Sequence, residues 1–269
     1  MNCANVVTEL TMSDVVIRKA APGDLEDILT FLKQEYDEES TGSGFWCNRD
    51  LIVQGQADSE LEVLAQPRDG KILAFCLWSL NRGSMDIIEV RPAYRHRGLG
   101  RCLTQYVLDQ LRDREVIGVE IQCTPQESLP VWQKMGFRRV EKTEQAHQTF
   151  AVYLFRERRA TLGDAEIKAV VIQLTQPLGE PLESKVVVVQ PGTPFCCKGM
   201  VRNTTCILEE DFAAYLPLGS HHAITVHVEG YAPYSDEVKY STDVGVEVRG
   251  NFVRCRALDL SKFQSDTRC

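Results

Sequence analysis

Val90-Arg91-Pro92-Ala93-Tyr94-Arg95-His96-Arg97-Gly98-Leu99-Gly100-Arg101 decides the fold of the first half of this chain. It begins at the end of an apolar run, Ile87-Ile88-Glu89-Val90. It leads into an apolar recurrence every four residues, Leu99, Leu103, Val107 and Leu111. The run reads as a strand and the recurrence as a helix, so Arg95 to Gly100 lies on the turn between them. Gly98 and Gly100 have no Cβ and let backbone pass close to a ligand. The helix points its unpaired N–H groups and positive dipole end back at that turn. A phosphate or pyrophosphate suits the place. Arg91, Arg95, Arg97 and Arg101 add positive charge there, with no acid after Glu89.

Composition bounds the rest. The chain has 269 residues, 43% of them apolar and 25% charged, with a net charge of −8. That length suits two domains. No apolar run reaches the ~18 residues of a membrane span. Met1 to Ser13 has neither a basic start nor an apolar core, so it reads as a tail and not a secretory signal; Met12-Ser13-Asp14 offers an alternative start. The negative charge argues against a nucleic-acid partner. Ten cysteines are scattered without paired ligand spacing. With no export signal they read as reduced thiols in a cytoplasmic protein.

Along the chain, Val15 to Lys19 reads as a strand. Pro22 and Asp24 suit a helix start, and Leu25, Ile28, Leu29 and Leu32 form its stripe. A short helix is expected over Asn48 to Gln54. Leu61 to Gln66 and Ile72 to Leu80 read as strands around an Asp69-Gly70 hairpin signal. Met85 to Val90 is the next strand, then the helix from Gly98, then a strand over Val116 to Cys123. Ser128 to Met135 reads as a helix closed by Gly136. Phe137 to Val140 and Thr149 to Phe155 follow as strands. Arg156 to Arg159 looks like a linker. Beyond it Val170 to Leu174, Lys185 to Gln190, Ile224 to Val228, Val244 to Val248 and Phe252 to Ala257 read as strands. Gly250-Asn251 marks a hairpin, and Glu209 to Tyr215 suggests one short helical turn. The reading is a tail (1–13), an α/β domain (14–158) and a smaller all-β domain (159–269).

Residues 14–158 resemble the GNAT superfamily of N-acetyltransferases. Val90 to Arg101 is similar to the family's coenzyme A motif. Leu129-Pro130-Val131-Trp132-Gln133-Lys134-Met135-Gly136-Phe137 resembles its second motif, and the order of elements matches. The resemblance implies a GNAT-like α/β fold with a central mixed sheet, and acetyl-CoA as cosubstrate with no metal. It implies that backbone groups of Ile88, Glu89 and Val90 pair with the pantetheine arm. By the same resemblance the amides of Arg95, His96, Arg97, Gly98, Leu99, Gly100 and Arg101 hold the pyrophosphate. Val90 would supply the N–H that stabilises the oxyanion, and Trp132 would stand at the mouth of the coenzyme cleft.

Acyl transfer to an amine needs a base for the ammonium proton and an acid for the departing thiolate. Glu120, in Val119-Glu120-Ile121, resembles a position where some relatives carry a glutamate acting through water. Asp86 and Glu89 are the alternatives. The acid has no clear bearer. Many relatives have a tyrosine where this chain has Trp132, whose indole N–H is not an acid at ordinary pH. A commonly found asparagine is replaced by Pro125. Tyr94, Tyr106 and Cys123 are other donors, without family support. The implied activity is transfer of an acetyl group to a primary amine, of a small molecule or a protein, by direct attack. The alternative is a coenzyme A-binding sensor or interaction module with weak or no turnover.

In this fold the first helix, the loop after it and the last hairpin wall the acceptor pocket. Asp24, Glu26, Asp27, Glu35, Asp37, Glu38 and Glu39 there outnumber Lys33, which would suit a cationic amine. Phe45-Trp46 could add an apolar wall, and His147 lies on the last hairpin. His221, His222, His227 and Glu229 form the one metal-like group, without a clear third ligand. The β domain could dimerise the chain, cover the acceptor pocket or hold a macromolecular substrate.

Overall fold

The computed structural model describes residues 15–38, 44–140, 148–175, 194–216 and 222–265. The expected tail, the strand at Lys185 to Gln190, and Glu39, His147 and His221 lie outside these residues. The chain divides into two compact units, residues 1–114 and 115–269.

In the first unit, β1 (Val16–Lys19), β2 (Leu61–Ala65), β3 (Ile72–Ser79) and β4 (Ser84–Val90) pair in that order, each antiparallel to the next. Helices α1 (Asp24–Glu38), α2 (Arg49–Ala57) and α3 (Leu99–Asp113) complete it. Every residue of β3 is buried, because helices pack against both of its faces. Ile28, Phe31 and Leu32 of α1 and Ile52 of α2 form one core with Val63, Phe75, Leu77 and Ile87. α3 packs on β2, β3 and β4 and buries the expected stripe of Leu99, Leu103, Val107 and Leu111 together with Thr104 and Leu108. Gly70 closes the β2–β3 hairpin at φ +73°.

The second unit opens with β5 (Gly118–Gln122), α4 (Leu129–Lys134), β6 (Arg138–Val140) and β7 (Phe150–Leu154), with β7 paired antiparallel to both β5 and β6. It continues as an antiparallel sheet of seven strands, β8 (Glu166–Thr175) to β14 (Phe252–Asp259), in the order β12-β11-β8-β9-β10-β14-β13. Val170, Ile172, Leu208, Phe212, Val226 and Val253 lie in its core. An α/β half followed by an all-β portion is the architecture expected.

Two local expectations are corrected. Glu209 to Tyr215 is not a helical turn; it belongs to β10 (Thr205–Tyr215). The segment Glu-Glu-Asp-Phe-Ala-Ala-Tyr has helical preferences, but a register shift between Ile207 and Phe212 re-aims it. Asp211 to Tyr215 are then buried against neighbours that only the tertiary fold supplies. Arg156 to Arg159 is not a free linker. Arg159 pairs with buried Asp211 at 2.6 Å and Arg156 with Glu210 at 3.1 Å. The Asp211 amide donates to the Glu157 carbonyl at 3.0 Å, and the Arg159 amide to the Glu209 carbonyl at 2.7 Å. The arginines of the expected linker are fastened along β10.

One face of β5 and β7 packs on the strands that follow. Ile117, Val140, Phe150 and Val152 share a core with Tyr215 of β10 and Phe252 of β14. Gly118 makes this possible: a Cβ there would stand 2.6 Å from the Phe252 ring and 2.8 Å from the Tyr153 carbonyl oxygen. The expected boundary between residues 158 and 159 therefore falls inside the second unit.

Candidate active site

The glycine turn is built as a cradle. A 3₁₀ turn over Pro92–Tyr94 leads from β4 into it. His96 (φ +62°) and Gly98 (φ +80°) both take the left-handed conformation, which turns successive amides the same way before α3 begins at Leu99. No side chain caps that helix start. Atoms near Gly98 leave its missing Cβ in open space, so the positive φ, not crowding, requires glycine there. At Gly100 the requirement is proximity: a Cβ would meet Val90 Cγ2 at 3.3 Å, so α3 starts hard against β4. An amide-lined, uncapped helix start with open space beside it fits a pyrophosphate.

The arginines are less available than their sequence suggests. Arg91 donates to Asp27 Oδ1 and to the Ile72 carbonyl, both at 2.5 Å, and lies over Phe31. Arg95 bridges Glu35 at 2.7 Å and Glu89 at 2.9 Å. Arg97 donates to the Ala93 carbonyl at 3.3 Å, and it is exposed, as are His96 and Arg101. The expected four-arginine field reduces to Arg97 and Arg101; the other two tie the turn to α1.

Val90 has both backbone groups engaged. Its N–H donates to Glu89 Oε1 at 2.8 Å, and its carbonyl accepts from Arg95 Nε at 2.9 Å. Ile88 pairs with Cys76 in the β3–β4 ladder. Asp86 is held at the other end of β4 by Arg82 and by Ser84 Oγ at 2.9 Å.

In the second unit Glu120 sits mid-strand on β5, half-buried. Its Oε2 accepts the Tyr215 hydroxyl from β10. Burial first, and the facing carboxylate second, push the Tyr215 phenol far above its ordinary range, so it stays a proton donor. Asn251 Nδ2 donates to the same phenol oxygen at 3.4 Å. Sequence reasoning missed Tyr215 and Asn251. Tyr215 lies 95 residues from Glu120, and no motif marks it.

Trp132 is a packing residue with a satisfied indole: Nε1 donates to Ser128 Oγ at 3.2 Å, and the ring stands edge-on to Phe137 at 5.3 Å. Burial raises the thiol of Cys123 and the phenol of Tyr106 above their ordinary values, away from a role as acids near neutrality.

The acidic helix is largely neutralised. Asp24 pairs with Arg18, Asp27 with Arg91, Glu35 with Arg95 and Asp37 with Lys33. Phe45 and Trp46 pack on the core of the first unit. His222 is buried and His227 exposed, while Glu229 accepts the Ala169 amide at 3.0 Å. Among the described residues no cluster of His, Cys, Asp and Glu is arranged to hold a metal. No described helix is long and apolar enough to cross a membrane.

The model of the acetyltransferase (GNAT) family matches residues 25–137. The [ribosomal protein bS18]-alanine N-acetyltransferase of Escherichia coli is 25% identical over 112 residues, covering 40% of this chain and 75% of that protein. Among solved structures, N-acetylglutamate synthase from Neisseria gonorrhoeae, complexed with coenzyme A and N-acetyl-glutamate, is 16% identical at a TM-score of 0.41. It aligns over 52% of this chain and 35% of that one. The PaiA N-acetyltransferase of Thermoplasma acidophilum, in complex with coenzyme A, is 13% identical at a TM-score of 0.44, over 52% of this chain and 99% of that one.

Proposed function

Because residues 25–137 are a domain of the GNAT acetyltransferase family, we propose that this chain is an acetyl-CoA-dependent N-acetyltransferase acting on a primary amine by direct attack. The observation that carries this is the turn from Arg95 to Arg101, with its left-handed His96 and Gly98 and the uncapped start of α3. Acetyl-CoA, when bound, supplies the activated acyl group. The residues that would hold it are the amides from Arg95 to Arg101, with Arg97 and Arg101 as counter-charges and Ile88 to Val90 offering strand edges. Val90 N–H is the oxyanion donor in this reading, and it must first release Glu89. Glu120 is the base that accepts the amine proton. We retain 14–158 as the catalytic domain and 159–269 as a β domain.

The acceptor is an amine of a protein N-terminus or of a small molecule. Ion pairs along α1 leave little net negative field, so a strongly cationic acceptor has weak support. Eight free cysteines among the described residues suit a reducing compartment, and we assign the protein to the cytoplasm.

A second reading has its own observation. Trp132 is bonded to Ser128 and Pro125 fills the other expected polar position, so the acid side is bare. A coenzyme A-binding module would look like this. The separating experiment follows thiol release from acetyl-CoA with a panel holding an N-terminal-alanine peptide, spermidine and a monoamine. Coenzyme A raising the melting temperature without thiol release on any amine favours the module. Release with one of them establishes the transferase.

A further inference from the structure

We infer that Tyr215, from the β portion of the chain, is a positioning residue for the carboxylate of Glu120. The inference rests on the reading of Glu120 as base. It means that the catalytic strand is completed by a residue outside the segment that the family model covers, residues 25–137.

The geometry is that of a supported side chain. The Tyr215 hydroxyl donates to Glu120 Oε2 and fixes the plane of the carboxylate. Tyr215 is itself held on every side. It is 1% exposed, edge-on to Phe252 at 5.4 Å, and pairs with Phe252 across β10 and β14. The Leu216 amide next to it donates to the Asn251 carbonyl at 2.6 Å, and the Asn251 side-chain amide reaches the phenol oxygen at 3.4 Å. The β5 side is shaped to receive this group. Gly118 lies on the same face of β5 as Glu120, two residues away, and its missing Cβ leaves the room that Phe252 fills. Phenylalanine at 215 would fill the same core. What the hydroxyl adds is a donor for Glu120 and an acceptor for the Asn251 amide.

A base works when its carboxylate is held in one rotamer by groups that do not move. A glutamate side chain has three torsions, and a strand backbone by itself does not set all of them. Tyr215 supplies the restraint from a rigid sheet. The phenol keeps its proton throughout, so Tyr215 orients the base without competing for the amine proton.

The test uses the full-length protein and the best amine of the panel above, in four forms: wild type, Tyr215→Phe, Glu120→Gln and the double variant. Tyr215→Phe is expected to lower kcat about tenfold while KM for acetyl-CoA and the thermal shift on adding coenzyme A stay as in wild type. The double variant is expected to be no slower than Glu120→Gln alone, because the hydroxyl acts only through that carboxylate. Unchanged kcat in Tyr215→Phe, with Glu120→Gln slow, overturns the positioning role and leaves Glu120 as base. Full additivity in the double variant overturns it too, since Tyr215 would then act elsewhere. Wild-type kcat in Glu120→Gln removes the base assignment, and the positioning role falls with it. So does the absence of thiol release on every amine, which removes the transferase reading itself. If Tyr215→Phe does not fold, Asn251→Ala, which removes the amide from the phenol oxygen, is expected to lower kcat in the same direction by a smaller factor; wild-type kcat there overturns the proposal.

Discussion

Glu89 and Val90 are joined by a hydrogen bond that competes with the proposed chemistry: the Val90 amide donates to Glu89 Oε1 at 2.8 Å, while Arg95 grips the same carboxylate at 2.9 Å. An acyl oxygen bound by Val90 N–H has to displace a carboxylate whose side chain is only 16% exposed. Removing that competitor in Glu89→Ala should tighten acetyl-CoA binding by a few-fold to about tenfold, corresponding to ~1 kcal/mol of hydrogen-bond exchange. Isothermal titration with acetyl-CoA measures it. Weaker binding would mean that Glu89 shapes the site instead of occupying it.

Gly98 is required by its backbone. At φ +80° an L side chain is strained, although open space would accept its Cβ. Gly98→Ala should cost about 1–2 kcal/mol of stability and weaken coenzyme A binding. Gly98→Asn should recover part of both, because asparagine tolerates the left-handed region. Denaturant unfolding and a coenzyme A thermal shift read the two effects; equal loss in both variants would show that space, not φ, matters.

Glu62 on β2 is 1% exposed with Oε2 unpartnered. Burial raises its carboxyl above the usual range, partly offset by Lys19 and Arg114. A raised carboxyl favours the folded state only while protonated. Its penalty is absent below the unfolded value of 4.5 and grows as pH rises above it. Glu62→Gln should therefore stabilise the protein by about 1 kcal/mol at neutral pH and make little difference near pH 4. Melting curves at the two pH values check the sign.

Tyr215 predicts the opposite end of the pH scale. Its folded phenol is pushed up from an ordinary value of 10.0, so its contribution to stability is complete below that pH and is lost as pH rises beyond it. Wild type should lose stability more steeply above pH 10 than Tyr215→Phe does. Equal alkaline slopes in the two proteins would show that the phenol is not shielded.

Gly118 tests the shared core of the second unit. Gly118→Ala brings a methyl to 2.6 Å from Phe252 and 2.8 Å from a carbonyl oxygen. It should cost about 1–3 kcal/mol by overpacking. A chain ended at Arg158 should aggregate, because it uncovers Phe150, Val152 and Val140, which Tyr215 and Phe252 cover. A soluble, monomeric truncation on gel filtration would contradict that shared core.

Much of the first half was legible because its signals are local. The recurrence from Leu99 to Leu111, the Asp69-Gly70 turn and Gly136 at φ +95° each follow from short-range sterics or periodicity. The missed elements are strands. β10 hides behind Glu209-Glu210-Asp211, where Glu210 pairs with Arg156 and Arg158 and Asp211 with Arg159. The arginines of the glycine turn misled for the same reason. Asp27 and Glu35 are 64 and 60 residues from the partners that neutralise them.

By itself, then, the sequence determined the glycine turn between β4 and α3, because glycine, proline and helix-start chemistry act within a few residues. It also determined that Trp132 stands where an acid was expected, since residue identity suffices to rule out proton donation by an indole. Only the tertiary structure decided that Glu120 is held by Tyr215 and that the Val90 amide is already taken. It also placed the 115–155 strands and the β sheet on one core. These relationships depend on side chains brought together across the fold, where burial makes each hydrogen bond matter and where spacing along the chain carries no information.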